Sequence, residues 1–247
     1  MGTYADYVAI TNSATANSAS AASAMTVTTG ATIYGITLTS LNVGTTYAVK
    51  IDAPGISGPQ TYVLPCNGAA ANTNGGKLCP ATKTIKCHIK IPGSQIKIQT
   101  YAGVASATCR VGIQWSDSGR VPPGYPTAHT YSDFATATPG TAGTEAAASA
   151  AISVTPGKRI VAIAVANPDF LGSIYTIRLE GTGLPSPQTF CLPSIYEATG
   201  TEIEYSNAWT QDLILVDIPI PSTTNSILPY ATADVNSTKC VIGLIWQ

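Results

Sequence analysis

Thr3-Tyr4-Ala5-Asp6-Tyr7 near the start of the chain returns as Thr130-Tyr131-Ser132-Asp133-Phe134. Four further blocks follow in the same order, at offsets that stay between 127 and 131. Met25-Thr26-Val27-Thr28-Thr29-Gly30 matches Ile152-Ser153-Val154-Thr155-Pro156-Gly157, and Tyr47-Ala48-Val49-Lys50-Ile51-Asp52 matches Tyr175-Thr176-Ile177-Arg178-Leu179-Glu180. Pro59 to Pro65 matches Pro187 to Pro193, and Cys109 to Trp115 matches Cys240 to Trp246. Two copies of one design are therefore fused in tandem, each of about 115 residues, the usual size of one folding unit. The division reads as 1–116, a connector over 117–129, and 130–247. The connector, SDSGRVPPGYPTAH from Ser116, is rich in proline and glycine and reads as a semi-rigid spacer.

Each copy reads as short β-segments broken by Gly, Pro, Asn and Ser. In the first copy they fall near 4–10, 25–29, 32–41, 45–52, 60–65, 83–91, 95–102 and 108–115. In the second they fall near 131–137, 151–155, 159–166, 173–180, 188–192, 211–218, 226–231 and 239–246. Ile85, Cys87, Ile89 and Ile91 alternate with Lys86, His88 and Lys90, the period-two pattern of a half-buried strand. Ser18 to Ala24 and Thr144 to Ala151 read as short helical turns, the second on its alanine run. About eight strands per copy fit a jelly-roll sandwich. An immunoglobulin-like sandwich expects its Trp between two cysteines, whereas Trp115 and Trp246 follow the last cysteine of each copy. The expected fold class is all-β: two tandem jelly-roll-like β-sandwiches.

Charged residues make up 10% of the chain and the formal net charge is −1, against about 25% charged residues in ordinary domains. Hydrophobic residues reach 45%, yet no run approaches the ~20 apolar residues of a membrane span. The surface is thus built from Thr, Ser, Ala, Asn and Gly, which does little to keep copies apart. It suits a chain covered by neighbours or one facing strongly acidic water. Lys83, Lys86, Lys90 and Lys97 read as lysines guarding a strand edge, with a nucleic-acid strip as the competing reading. Asp212 and Asp217 occupy that region of the second copy, so no specific nucleic-acid partner is expected. The N-terminus lacks the basic and apolar regions of a secretory leader. Asp6 also stands where a myristoylation signal wants Ser or Thr.

Six cysteines allow several pairings. Cys66–Cys79, Cys87–Cys109 and Cys191–Cys240 form one scheme, and buried free thiols are the alternative. Disulfides without a leader point to a hyperthermophile cytosol or to oxidation after release. No CxxC pair exists, and neither His88 nor His129 has zinc-ligand spacing. No GxSxG, HExxH, P-loop or GxGxxG motif occurs. Glu197, Glu202 and Glu204, with Tyr196, Tyr205 and Trp209, read as a polar outer loop or as a sugar-binding loop. Asn236-Ser237-Thr238 is the one glycosylation sequon. No catalytic set, cofactor or metal is expected.

The repeated strand set, from the TYxD[YF] opening to the CxxGxxW closing strand, resembles the tandem and double jelly-roll capsid proteins of icosahedral viruses. The low charge and cysteine content resemble hot-spring archaeal viruses more than haloarchaeal ones. The resemblance implies a structural virion protein, not an enzyme: a major capsid, penton or turret-type subunit. Such a subunit assembles in the host cytoplasm with its own copies and with other virion proteins. The strand carrying Tyr4, Tyr7 and Ile10 is the candidate assembly strand, pairing at home or on a neighbour's sheet edge. A cell-surface filament subunit joined by donated strands is the alternative, located outside the cell. A carbohydrate-binding module built on Tyr196, Tyr205 and Trp209 is the second alternative.

Overall fold

The computed structural model describes residues 2–40, 46–64, 84–106, 108–168, 174–192 and 213–247. Among them there is no helix and there are seventeen strands. The first copy supplies β1 (Thr3–Thr11), β2 (Ser23–Thr26), β3 (Thr32–Ser40), β4 (Thr46–Asp52), β5 (Thr61–Val63), β6 (Thr84–Lys90), β7 (Gln95–Ala102) and β8 (Thr108–Ser116). The second supplies β9 (Tyr131–Ala137), β10 (Ala146–Ala147), β11 (Ile152–Ser153), β12 (Arg159–Ala166), β13 (Ile174–Glu180), β14 (Thr189–Cys191), β15 (Ile214–Pro219), β16 (Ser226–Ala233) and β17 (Cys240–Trp246).

The first copy forms two four-stranded sheets, ordered β1-β8-β3-β6 and β2-β7-β4-β5. Numbering its strands one to eight, the orders are 1-8-3-6 and 2-7-4-5, which is the jelly-roll arrangement. The second copy repeats both orders, as β9-β17-β12-β15 and β10-β16-β13-β14. Its second strand is split, with β10 and β11 both pairing with β16. The segment around Thr144 to Ala151 is therefore strand and turn, not helix, and the one around Ser18 to Ala24 runs into β2. Ladder pairing overrides the helix propensity of a few alanines, which is worth only tenths of a kcal/mol per residue.

Fine detail is duplicated as well. A bulge lies between Ile33 and Gly35 in β3 and between Ile160 and Ala162 in β12. Another lies between Thr46 and Ala48 in β4 and between Ile174 and Thr176 in β13. Gly30 and Gly157 both have φ of 74°, where the repeated turn demands a residue tolerant of positive φ. Trp115 donates from Nε1 to Thr28 Oγ1 at 3.2 Å, as Trp246 does to Thr155 Oγ1 at 3.2 Å.

The chain divides into two compact units between Ser132 and Asp133. In the first, Ile33, Ile36 and Leu38 of β3 and Val111 and Ile113 of β8 are buried. From the other sheet, Tyr47, Val49, Ile51, Tyr62, Ile96 and Ile98 are buried with them. A fully buried Ile is worth roughly 1.5–3 kcal/mol, so these alternating residues hold the two sheets face to face. At one end a polar trio closes the sandwich. Asn12 Nδ2 donates to Thr46 Oγ1 at 2.8 Å, and Thr100 Oγ1 donates to Asn12 Oδ1 at 2.6 Å. All three residues are buried. In the second unit the β17 strand is buried along its whole length.

Candidate functional site

The connector and the three residues after it, Thr130 to Ser132, belong to the first unit and close one side of its sandwich. The β6 edge is covered because Thr130 N donates to His88 O at 2.9 Å and His88 N donates to Thr130 Oγ1 at 2.9 Å. Lys86 Nζ reaches Gly124 O at 3.2 Å and lies over the Tyr125 ring at 5.0 Å. The β5 edge is covered likewise, with Ser132 N donating to Pro59 O at 3.0 Å and Ser132 Oγ to Thr61 O at 2.8 Å. Tyr131 sits over Gly58, whose φ is 64° and where a Cβ would fall 2.5 Å from the ring.

Among the described residues, nothing covers the opposite edge of the same sheet. β1 is outermost and pairs with β8 alone, over nine residues from Thr3 to Thr11 with no register shift. Its side chains are exposed on both faces over most of its length. Tyr4 is 42% and Tyr7 58% exposed, whereas Ile10 is buried in the home core. Of the three assembly-strand candidates, two are thus at the surface and the third serves the sandwich itself.

Three hydrogen bonds give the direction of the β1 backbone. Gly2 N donates to Asp117 Oδ1 at 2.9 Å and Asp117 N to Gly2 O at 3.3 Å, beside the β8 end. Tyr7 N instead donates to Asp6 Oδ1 at 2.8 Å, away from β8. Even-numbered residues therefore bond to β8, and Thr3, Ala5, Tyr7, Ala9 and Thr11 point their amides and carbonyls out of the sheet. Phe134 N makes the same bond to Asp133 Oδ1 at 2.9 Å in β9. The repeated Asp of TYxD[YF] is thus an edge cap, a role invisible in sequence because it depends on the strand being outermost. In β9 the outward groups are further occupied: Ser132 N by Pro59 O, and Thr136 O by Ser149 N at 2.9 Å. No such partner meets β1 among the described residues.

Tyr4 stacks on Trp115, with centroids 5.7 Å apart and planes at 20°. Its hydroxyl donates to Asp117 Oδ2 at 3.1 Å. That bond raises the Tyr4 phenol above its usual value, and the Gly2 amide holds the Asp117 carboxyl below the carboxylate range. On the outer face, Arg110 lies over the Tyr7 ring at 5.4 Å.

The remaining candidates separate. Lys86 and Lys90 lie on β6 and Lys97 on β7, in opposite sheets, so they form no common strip. Lys83 and Asp212 lie outside the described residues, and Asp217 pairs with Arg159 across β15 and β12. His88 sits under the connector, its Nδ1 3.1 Å from Pro126 O, and burial lowers its pKa. His129 Nε2 lies 3.1 Å from both Ser57 O and Gln60 Nε2. Both histidines anchor the connector. Among the described residues no cluster of His, Cys, Asp or Glu could hold a metal, and no helix is long and apolar enough to cross a membrane.

Two of the three expected pairings, Cys87–Cys109 and Cys191–Cys240, are corrected. Cys87, Cys109, Cys191 and Cys240 are joined in no disulfide. Cys87 on β6 and Cys109 on β8 are separated by β3, so at least about 9 Å divides them, beyond the ~7 Å Cα limit for a disulfide. Cys191 is exposed on β14, while Cys240 is buried on β17 of the other sheet. Burial pushes the Cys87 and Cys109 thiols up. Cys66 and Cys79 lie outside the described residues, as do Tyr196, Glu197, Glu202, Glu204, Tyr205 and Trp209. Asn236 is exposed, but its Oδ1 accepts from Ala142 N at 2.7 Å, and Thr238 of its sequon is buried.

A charged cluster not singled out in the sequence lies on the second unit. Arg178 donates to Glu145 at 2.7 and 2.9 Å and to Glu180 at 3.3 Å, 3.9 Å over the Tyr230 ring. Glu145, just before β10, and Tyr230 of β16 lie far in sequence from Arg178 and Glu180 of β13, so no local motif reveals the cluster.

No family model and no curated protein matches this chain. Among solved structures it is similar to the STIV MCP crystal structure, with a TM-score of 0.39, 10% identity, and coverage of 100% of this chain and 96% of that one. It is similar to a chain from the triple jelly-roll and turret assembly of an archaeal virus, with a TM-score of 0.25, 14% identity, and coverage of 98% and 58%. A third similar chain belongs to the atomic structure of Sulfolobus Turreted Icosahedral Virus, with a TM-score of 0.24, 13% identity, and coverage of 98% and 59%. The jelly-roll assignment stands on the chain's own strand order, and the chain resembles these archaeal-virus capsid and turret structures only loosely in superposition.

Proposed function

We propose that this chain is a structural virion protein, a capsid-type subunit that assembles with its own copies and other virion proteins. The observation that supports this reading most is the β1 edge. It is nine residues long, regular and exposed on both faces, while the other edge of the same sheet is sealed by the connector. A long flat edge without lysine or proline invites another strand. The sparse surface charge adds little repulsion between copies. A building block needs this pairing of a rigid sandwich with an adhesive margin, and a catalyst does not.

A filament built by strand donation finds less support, because each sandwich already contains its own full strand set. Electron microscopy of the native source material tests the proposal. Shells carrying this chain, identified by mass spectrometry of the purified particles, are expected. Fibres containing it, or its absence from every particle, would overturn the capsid reading.

A further inference from the structure

We infer that the open β1 edge pairs with β1 of a second copy, antiparallel and across a two-fold axis at Tyr7. This rests on the self-assembly reading above and specifies its partner and register.

The outward residues Thr3, Ala5, Tyr7, Ala9 and Thr11 set the geometry, since only odd residues offer free backbone groups. Centring on Tyr7 overlaps all nine residues and exchanges up to about ten backbone hydrogen bonds. The side chains are self-complementary in that register: Thr3 meets Thr11, Tyr4 meets Ile10, Ala5 meets Ala9 and Asp6 meets Val8. The neighbouring registers are worse. Centring on Asp6 places the two carboxylates directly opposite, and like charges there are destabilising. Centring on Val8 leaves Thr3 and Tyr4 unpaired. In the Tyr7 register the Asp6 side chains lie on the diagonal, about 7–8 Å apart. A closed two-fold contact of this kind uses one patch twice.

Asp6 competes with the pairing. In the single chain its carboxylate holds the Tyr7 amide. Pairing replaces that bond with the Tyr7 carbonyl of the second copy. In β9 the same edge is occupied by Pro59 and Ser149, so the inference applies to the first sandwich alone.

Cysteine cross-linking in a Cys191→Ser background tests it, with linked peptides mapped by mass spectrometry. Ala5→Cys mixed with Ala9→Cys is expected to form a disulfide between the two variants, because paired Cα atoms lie about 5.5 Å apart. Each variant alone is expected to form none. A 5–5 or 9–9 link would overturn the register. Oligomers lacking the 5–9 link would overturn the β1 contact while leaving self-assembly standing. A monomer under all conditions would overturn both. Ala9→Pro gives a second readout, since the Ala9 amide points out of the home ladder. It is expected to weaken association about tenfold or more with an unchanged circular dichroism spectrum, and Asp6→Ala is expected to strengthen association. Undiminished association in folded Ala9→Pro would also contradict the pairing.

Discussion

Trp115 Nε1 donates to Thr28 Oγ1 at 3.2 Å, and Trp246 makes the equivalent bond to Thr155 at the same distance. The duplication thus kept a tertiary contact as well as a residue pattern. The two environments differ, however. Trp246 is fully buried and Trp115 slightly exposed, and Thr28 is exposed where Thr155 is half-buried. Removing an acceptor costs more where water cannot replace it. Thr155→Val is expected to destabilise by about 1–3 kcal/mol and Thr28→Val by about 0.5–1.5 kcal/mol. Urea unfolding of the two variants checks the ranking.

The Asn12–Thr46–Thr100 trio has no polar counterpart in the second unit, where Ile174 and Ala231 take the places of the two threonines. Asn12→Leu removes the amide that both buried hydroxyls bond. A loss of about 2 kcal/mol is expected, read from the unfolding midpoint. An Asn12→Leu, Thr46→Ile, Thr100→Ala triple variant is expected to recover part of it, since matched apolar replacement removes the unpaired groups.

Thiol chemistry follows the strand order. Of the four described cysteines, exposed Cys191 is expected to alkylate rapidly in the native protein at pH 8. Cys87, Cys109 and Cys240 are expected to react only on unfolding, as burial hides all three and raises the first two. Peptide mass spectrometry after timed labelling distinguishes the sites.

Acid should release the start of β1. Asp117 is held below the usual carboxylate range by the Gly2 amide and the Tyr4 hydroxyl. A depressed carboxyl stabilises the fold above its unfolded pKa of about 3.9 and loses that contribution as pH falls through its folded value. Amide exchange at Gly2 and Tyr4, corrected for intrinsic pH dependence, is expected to stay slow down to about pH 4 and rise below it. Asp117→Asn is expected to show fast exchange at neutral pH as well.

Most of the strand positions were legible because alternation and turn residues are local signals. Ile85, Cys87 and Ile89 face inward as their spacing requires. The split strand β10–β11 was not legible, since Ala146 and Ala147 owe their conformation to β16, which lies about eighty residues later. The Cys87–Cys109 pairing is contradicted for a related reason. Cys87 and Cys109 look like neighbours until β3 is seen to lie between them. The edge itself was half legible. TYxD[YF] marked a repeated opening strand, but neither the Asp6 cap nor the sealing of β6 by Thr130 can be read without the strand order.

Sedimentation velocity of the purified chain over a hundredfold concentration range is the most direct measurement. The account predicts that the weight-average mass climbs from 25.3 kDa toward multiples of it as concentration rises. A single 25.3 kDa species at every concentration would contradict it.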